Sequence, residues 1–215
     1  MIMEKKRILL LGNGGHCRSV MDTILSLGSY DEIGIVEKSG TFETDEGMLL
    51  IGTDDDLPFL FNDGWTNAVI TVGSVGNTRV REKLYSNLKE IGFYLPTIVD
   101  PSAIVSVRAN VEEGTFIGKR AIVNTGTSIG KCAIINSGAI IEHDCTIGQF
   151  THVSPGATIC GEVYVGNYSH IGAGSSVRQQ IRIGERSLIG VGSVVVGNIP
   201  DNVVAYGNPC RIHSK

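Results

Sequence analysis

An acid–histidine–acid triplet, Glu142-His143-Asp144, is the part of the sequence best suited to acid–base chemistry. An imidazole titrates near neutral pH, so a histidine beside a reacting group can act as a general base. His152 follows nine residues after His143, and His170 lies 18 residues beyond that. The triplet could equally be a solvated charged face, and its spacing alone leaves both interpretations open.

These residues lie within a six-residue repeat that runs from Val105 to Val195. Sixteen successive positions at this spacing are Ile or Val, and a second register, four residues later, is nearly all small or β-branched. A period of six fits neither an amphipathic helix nor an alternating strand, and it is typical of a parallel β-helix of hexapeptide repeats. Three hexads would form one triangular coil of 18 residues, with the aliphatic register inside and each short strand pairing with its neighbours one coil away.

The 18-residue coil predicts which side chains meet on neighbouring turns. Gly161 would lie directly over His143, and its backbone N–H could form an oxyanion site next to a general base. His152 and His170 would stack on each other. They could be a metal pair, but the chain offers no evident third ligand, so we expect a surface or interface position for His170.

The first hundred residues follow a different pattern, which predicts an α/β domain at residues 1–97 and the β-helix at residues 98–215. Strands are expected at residues 7–11, 33–36, 48–51 and 68–72, and helices at residues 17–27, 56–61 and 78–91. Alternating strands and helices indicate a parallel sheet. Pro96 and Pro101 punctuate the junction.

A glycine-rich turn follows the first predicted strand. Gly12, Gly14 and Gly15 would let the backbone approach a phosphate at the N-terminus of the next helix. Cys17 replaces the third glycine of a dinucleotide fingerprint, so a tight turn without a ligand stays an alternative.

Other candidate binding residues also follow predicted strands. Glu37 could accept a hydrogen bond from a ribose hydroxyl. Gly73 and Asn77 come after a later strand, at the sheet edge where open α/β sheets bind ligands. A domain this short favours a mononucleotide or nucleotide-sugar site over NAD.

Composition and charge argue against several classes of function. The formal net charge of −4 gives no electrostatic case for binding nucleic acid or an anionic membrane. The sequence has no apolar stretch of the roughly 20 residues that span a bilayer, and no signal-peptide pattern at Met1, so a cytoplasmic location is expected. The five cysteines lack paired spacing and are expected to be reduced, with Cys145 in the core.

The unbroken hexads resemble those of the left-handed β-helix acyltransferases, and the left hand is implied by that resemblance. Four segments narrow the match: GNGGH, VGSVGNTRVREKL, IVDPSAIVS and INSGAIIEHDCTIGQFTHVSPGAT. Together they resemble the NeuD/PglD-type sugar acetyltransferases along essentially the whole chain. The resemblance implies a small Rossmann-like parallel sheet followed by a left-handed β-helix, assembled as a homotrimer with acetyl-CoA between adjacent β-helices.

The activity implied by the resemblance is direct, acetyl-CoA-dependent N-acetylation of a nucleotide-linked amino sugar, most closely a UDP-4-amino-4,6-dideoxy sugar, without a metal. His143 would be the general base, and Asp144 would orient it. The residues implied to bind acetyl-CoA are His152, Gly161, Gly172, Gly190 and Pro209. The residues implied to bind the nucleotide sugar are Gly12, Gly14, Gly15, His16, Glu37, Lys38, Gly73, Asn77 and Asn136.

Two other activities remain open from the sequence. The acetyl group could go to a sugar hydroxyl, as in sialic acid O-acetylation. A trimer similar to the γ-carbonic anhydrases would need three histidine ligands across a subunit interface, and the His-x4-His spacing of such sites is absent.

Overall fold

The computed structural model describes residues 5–38 and 49–214. The chain divides into two compact units, one formed by Met1–Gly73 and Arg79–Pro96 and the other by Ser74–Thr78 and Thr97–Lys215. The short segment Ser74–Thr78 therefore belongs to the second unit, although the residues on both sides of it belong to the first. None of the described helices is long and apolar enough to cross a membrane.

The first unit contains a parallel sheet, as the alternating pattern predicts. Its strands are β1 (Arg7–Leu11), β2 (Glu32–Val36), β3 (Leu49–Gly52) and β4 (Asn67–Ile70), in the order β3-β2-β1-β4. Its helices are α1 (Gly15–Leu27), α2 (Leu57–Asn62) and α3 (Arg79–Ile91), with a 3₁₀ turn at Asp54–Asp56. The predicted start of the third strand, Met48, lies outside the described residues. Ile8 to Leu11 are fully buried, which is typical of a central parallel strand.

The second unit is a parallel β-helix whose strands form three sheets, here called the first, second and third faces. The first face contains Ile98–Val99, Phe116–Ile117, Ile134–Ile135, His152–Val153, His170–Ile171, Leu188–Ile189, Val204–Tyr206 and, antiparallel at its end, Arg211–Ser214. The second face contains Ile104–Val105, Ile122–Val123, Ile140–Ile141, Thr158–Ile159, Ser176–Val177 and Val194–Val195. The third face contains Asn110–Val111, Ser128–Ile129, Thr146–Ile147, Tyr164–Val165 and Arg182–Ile183.

The predicted 18-residue coil is confirmed by the strand register, in which Ile134 pairs with His152 and His152 with His170. From Ile117 to Val195, every member of the aliphatic register is at most 1% exposed. Val105 is only partly buried because the first coil has a neighbouring coil on one side only.

The small register satisfies buried backbone carbonyls at the corners. The Thr127 hydroxyl donates to the carbonyl of Glu142 at 2.8 Å, and the Ser169 hydroxyl donates to that of Gly184 at 2.7 Å. A buried carbonyl without a partner would destabilise the fold by roughly 1–3 kcal/mol. Cys145 fills the same register, is 1% exposed, and donates its thiol hydrogen to the carbonyl of Cys160. Its predicted place in the core is confirmed.

Candidate active site

His143 lies at a corner of the β-helix, between the second-face strand Ile140–Ile141 and the third-face strand Thr146–Ile147. The following residue, Asp144, has a left-handed backbone with φ 57°. Every sixth residue from 114 to 192 shares this conformation, with φ between 51° and 71°. Aspartate tolerates it better than most side chains because its short carboxylate can bond locally. The corner therefore sets the position of Asp144 relative to His143.

The hydrogen bond between these two side chains determines the imidazole tautomer. His143 Nδ1 lies 2.9 Å from Asp144 Oδ2, and both side chains are half-exposed or more. Because a carboxylate only accepts, Nδ1 carries the hydrogen and Nε2 keeps its lone pair. This hydrogen bond, helped by the negative charges of Asp144, Glu142 and Glu162, raises the pKa of His143 above its ordinary value. The Nε2 lone pair can therefore accept a proton.

Gly161 lies over the His143 ring, as the 18-residue coil predicts. A Cβ at Gly161 would lie 2.5 Å from His143 Nε2 and 2.6 Å from its Cε1. Only glycine allows the imidazole ring to lie this close to the next coil.

One residue of this corner is absent from the sequence predictions. Gly126 lies one coil below Asp144, and a Cβ there would overlap Asp144 Oδ1. Gly126 and Asp144 are 18 residues apart, as are His143 and Gly161. The 18-residue coil could therefore have predicted that Gly126 contacts Asp144. Glu142, the other acid of the triplet, accepts a hydrogen bond from Asn124 Nδ2 at 3.0 Å.

A second polar cluster lies on the first face and the corner that follows it. His152 Nδ1 lies 3.0 Å from the carbonyl oxygen of Ser74, and its Nε2 lies 3.2 Å from Asn136 Nδ2. Since a carbonyl only accepts, Nδ1 carries the hydrogen and Nε2 accepts from the Asn136 amide. Asn136 Oδ1 accepts in turn from the backbone N–H of Ser137 at 2.8 Å. These bonds fix the orientation of both side chains.

The same arrangement recurs one coil above. Ser154 Oγ lies 3.2 Å from His170 Nε2, and the His152 and His170 rings meet edge to face with centroids 4.9 Å apart. His170 is only 6% exposed, so the expected surface or interface position is wrong: the chain itself buries this side chain. Burial, helped by the nearby His152, lowers the pKa of His170 to about 4, so the ring is neutral at neutral pH.

The predicted site residues of the β-helix thus form two groups at different corners. His143, Asp144 and Gly161 share the corner after the second face. Asn136 and His152 belong to the first face and the corner after it, where Gly172 and Gly190 also stack. A Cβ at Gly172 would lie 2.5 Å from the carbonyl carbon of Gly190, so close approach of the two coils requires glycine there.

In the first unit, the glycine-rich turn joins β1 to α1. Gly12 has φ +104°, and a Cβ there would lie 2.6 Å from Val72 Cγ2. Helix α1 begins at Gly15, two residues earlier than predicted, and Gly14 is its N-cap, with open space where a Cβ would be. The turn therefore presents backbone rather than side chains at the helix N-terminus.

Glu37 binds this turn, a contact that sequence spacing did not reveal. Its Oε2 accepts from the backbone N–H of Asn13 at 2.7 Å, and its Oε1 accepts from that of Lys38 at 3.0 Å. A Cβ added at Gly73 would lie 3.7 Å from His16 Cβ, so these two predicted nucleotide-sugar-binding residues are close together. Asn77 is in the segment that belongs to the second unit.

Within residues 5–38 and 49–214, no group of three or more His, Cys, Asp or Glu side chains is arranged to hold a metal ion. His152 and His170 stack as predicted, and each hydrogen-bonds a neighbouring polar side chain.

Family models cover most of the chain. Residues 7–88 match the PglD N-terminal domain, and residues 144–179 match six repeats of the bacterial transferase hexapeptide. Residues 108–142 and 180–204 match the hexapeptide repeat of succinyl-transferase.

Solved structures with this fold include two proteins of 32% sequence identity. One is a histidine-to-asparagine variant of perosamine N-acetyltransferase from Caulobacter crescentus in complex with CoA and GDP-perosamine, with a TM-score of 0.91 and 97% of each chain covered. The other is the acetyltransferase domain of PglB from Neisseria gonorrhoeae in complex with acetyl coenzyme A, with a TM-score of 0.89, covering 98% of this chain and 100% of that one. WeeI from Acinetobacter baumannii, at 22% identity and a TM-score of 0.79, shares the fold over 97% of this chain and 100% of its own.

Proposed function

Since the chain belongs to the NeuD/PglD-type sugar acetyltransferases, which are acetyl-CoA-dependent enzymes, we propose that it acetylates the amino group of a nucleotide-linked amino sugar. The observation that carries the proposal is the His143 imidazole beside Gly161, whose Nδ1 is bonded to Asp144 and whose Nε2 keeps its lone pair. The complexes of the two 32% identical relatives, one with CoA and GDP-perosamine and one with acetyl coenzyme A, support the choice of substrates.

His143 acts as the general base in the proposed reaction. The neutral amine nitrogen attacks the thioester carbonyl carbon, a C–N bond forms, and the amine proton passes to Nε2. The Gly161 backbone N–H stabilises the oxyanion of the tetrahedral intermediate. The C–S bond then breaks, and the CoA thiolate takes the proton from the imidazolium, which leaves an amide and free CoA. Asp144 stabilises the imidazolium while it exists.

Direct transfer of the acetyl group is consistent with the chemistry of Cys145, a buried thiol two residues after His143. Burial raises the pKa of Cys145 to about 11, so this thiol stays protonated at neutral pH. It also donates to the carbonyl of Cys160 at 3.1 Å. Cys145 is therefore a core residue and a poor candidate for an acyl-enzyme nucleophile.

The remaining predicted residues divide between the two substrates. Asn136 and His152 line the acceptor and thioester region as groups oriented by their hydrogen bonds, while Gly172, Gly190 and Pro209 contact acetyl-CoA. The turn and the strand ends of the first unit contact the nucleotide sugar in this proposal. The predicted contacts there are Gly12, Gly14, Gly15, His16, Glu37, Lys38 and Gly73.

The identity of the nucleotide base is the most detailed part of the proposal. The sequence resemblance favours a UDP-4-amino-4,6-dideoxy sugar, whereas the relative from Caulobacter crescentus binds GDP-perosamine. A GDP-linked amino sugar is therefore the second candidate. We also propose a homotrimer with acetyl-CoA between adjacent β-helices, which light scattering of the purified protein would test.

The test is release of CoA from acetyl-CoA, followed with a thiol reagent, in the presence of a UDP-4-amino-4,6-dideoxy sugar, a GDP-4-amino sugar or free sialic acid. Release with an amino sugar would support N-acetyl transfer and identify the base. Release with sialic acid alone would contradict the proposal and favour O-acetylation.

A further inference from the structure

One short segment, Ser74–Thr78, follows the first face of the β-helix over three coils and is here called the strap. The carbonyl of its first residue accepts a hydrogen bond from His152 Nδ1 at 3.0 Å, and the same backbone lies beside His170. Two residues later, Gly76 lies against Leu188, since a Cβ at Gly76 would be 2.8 Å from Leu188 Cδ1. The strand register places His152, His170 and Leu188 on successive coils. The strap therefore belongs to the second unit through contacts with three neighbouring strands.

Gly76 determines how closely the strap approaches the first face. Its φ of +70° lies in the left-handed region, which favours glycine. Its missing side chain also leaves room for Leu188, so a methyl group at this position would push the strap away from the strand. The position of the Ser74 carbonyl, two residues earlier, therefore depends on the glycine at residue 76.

The Ser74 carbonyl lies beside two imidazoles and accepts a hydrogen bond from one of them, His152. In the part of the chain that the structure describes, His170 Nδ1 is buried without a hydrogen bond. A buried polar group without a partner destabilises the fold, so His170 competes for the same carbonyl. If the strap moved, His152 would lose its acceptor, and its hydrogen could move from Nδ1 to Nε2. His152 Nε2 could then no longer accept from the Asn136 amide, which lies 3.2 Å away.

We propose that Ser74 is a positioning residue whose carbonyl selects the His152 tautomer that orients Asn136 for acetyl transfer. The contact of Gly76 with Leu188 holds this carbonyl in place. Ser74 acts through His152 and not on the reacting atoms. The inference rests on the proposed function, because it takes His152 and Asn136 to lie in the acetyl-transfer region.

The first experiment determines the His152 tautomer from the nitrogen chemical shifts of its ring, without any substrate. We expect the Nδ1–H tautomer in the wild type and a mixture of both tautomers in Gly76→Ala. Gly28→Ala is the matched control and should keep the wild-type tautomer, because Gly28 also has a left-handed backbone, with φ +59°, but open space where a Cβ would be. The double variant Gly76→Ala/Leu188→Ala removes the side chain that the new methyl group meets, so it should regain the Nδ1–H tautomer.

The second experiment measures the steady-state kinetics of CoA release. In Gly76→Ala, kcat should fall about tenfold, as expected for the loss of one orienting hydrogen bond. KM for acetyl-CoA should stay near the wild-type value, because the strap orients groups for the reaction and adds no contact to this substrate. The double variant should recover most of kcat, and Gly28→Ala should have the wild-type kcat. A recovery of kcat that follows the recovery of the tautomer is a result that general destabilisation would not give.

A wild-type tautomer in folded Gly76→Ala would overturn the positioning role of Ser74. A changed tautomer with wild-type kcat would also overturn it, since the orientation of His152 would then not serve the reaction. If the wild type acetylates no amino sugar, the proposed function fails, whereas the tautomer comparison still decides whether Ser74 positions His152.

Discussion

The two histidine clusters of the β-helix show how the same side chain acquires opposite properties less than two coils apart. His143 is half-exposed, donates Nδ1–H to a carboxylate, and has a raised pKa. His170 is buried against another imidazole and has a pKa lowered to about 4. The partner and the burial of each ring, rather than its place in the hexad, determine whether it can take up a proton.

Replacing His143, the proton-accepting histidine of the two, has the largest expected effect on activity. His143→Ala should lower kcat/KM by about 10²–10⁴-fold, because it removes the proposed general base. Steady-state kinetics with the accepted amino sugar measure this loss. Glu142→Gln is the matched control, since its amide can still bond Asn124, and we expect turnover within a few-fold of wild type. Near-wild-type turnover in His143→Ala would remove that residue from the role of base.

Gly161→Ala should block the same imidazole without removing it. The added methyl group would lie about 2.5 Å from Nε2, so the ring must shift from the position in which it can take a proton from the amine. We expect kcat to fall by about 100-fold, an effect similar to the loss of one oxyanion donor. Gly197→Ala is the control, because a Cβ at Gly197 has no neighbour within 4 Å. Equal activity of the two variants would show that the reaction does not depend on the ring position that Gly161 allows.

His170 should affect stability in a pH-dependent manner. Its pKa is about 4 in the folded protein and 6.5 in the unfolded chain, so the unfolded state binds more protons between these values. The contribution of neutral His170 to the free energy of unfolding is therefore fully present above pH 6.5. It decreases as the pH falls towards 4, by roughly 3 kcal/mol in total. In His170→Phe, the decrease in Tm between pH 7 and pH 4.5 should shrink. Ser154→Ala is the control, because it retains the His170 imidazole and should show the wild-type decrease in Tm. If the decrease in Tm is unchanged in His170→Phe, other titrating groups cause it.

Asp144→Asn should have a smaller effect and sharpens the role of the carboxylate. Asparagine also tolerates the left-handed corner, so the backbone should be retained. Without the carboxylate, the pKa of His143 should fall towards its ordinary value, since the hydrogen bond to Asp144 is its main cause. Activity requires the neutral imidazole, so the acidic limb of the rate profile should move to lower pH while the plateau falls about tenfold. A limb that does not move would separate Asp144 from the titration of His143.

Sequence spacing predicted the contacts that depend only on the coil. The position of Gly161 over His143 and the stacking of His152 on His170 both follow from the 18-residue period. The burial of His170 did not follow from the period, because it is a property of the surroundings of the ring and not of its register. Ser74, whose carbonyl bonds His152, is far away in sequence and belongs to the second unit only through the fold.

Contacts that do not follow the 18-residue period could not be predicted from the sequence either. Glu37 binds the backbone of Asn13 because the sheet brings two strand ends together, and no spacing rule encodes that bond. Tyr206 meets His213 because the chain reverses after the last parallel strand, where the hexads have ended.

The most direct test of the general-base assignment is to measure the pKa of His143 by NMR titration and compare it with the pH dependence of kcat/KM. We expect the His143 imidazole to titrate above its ordinary pKa and the acidic limb of the rate profile to have the same pKa. We also expect this limb to disappear in the residual activity of His143→Ala. A limb that persists in that variant, or a rate profile that does not match the titration of His143, would contradict the assignment of His143 as the general base.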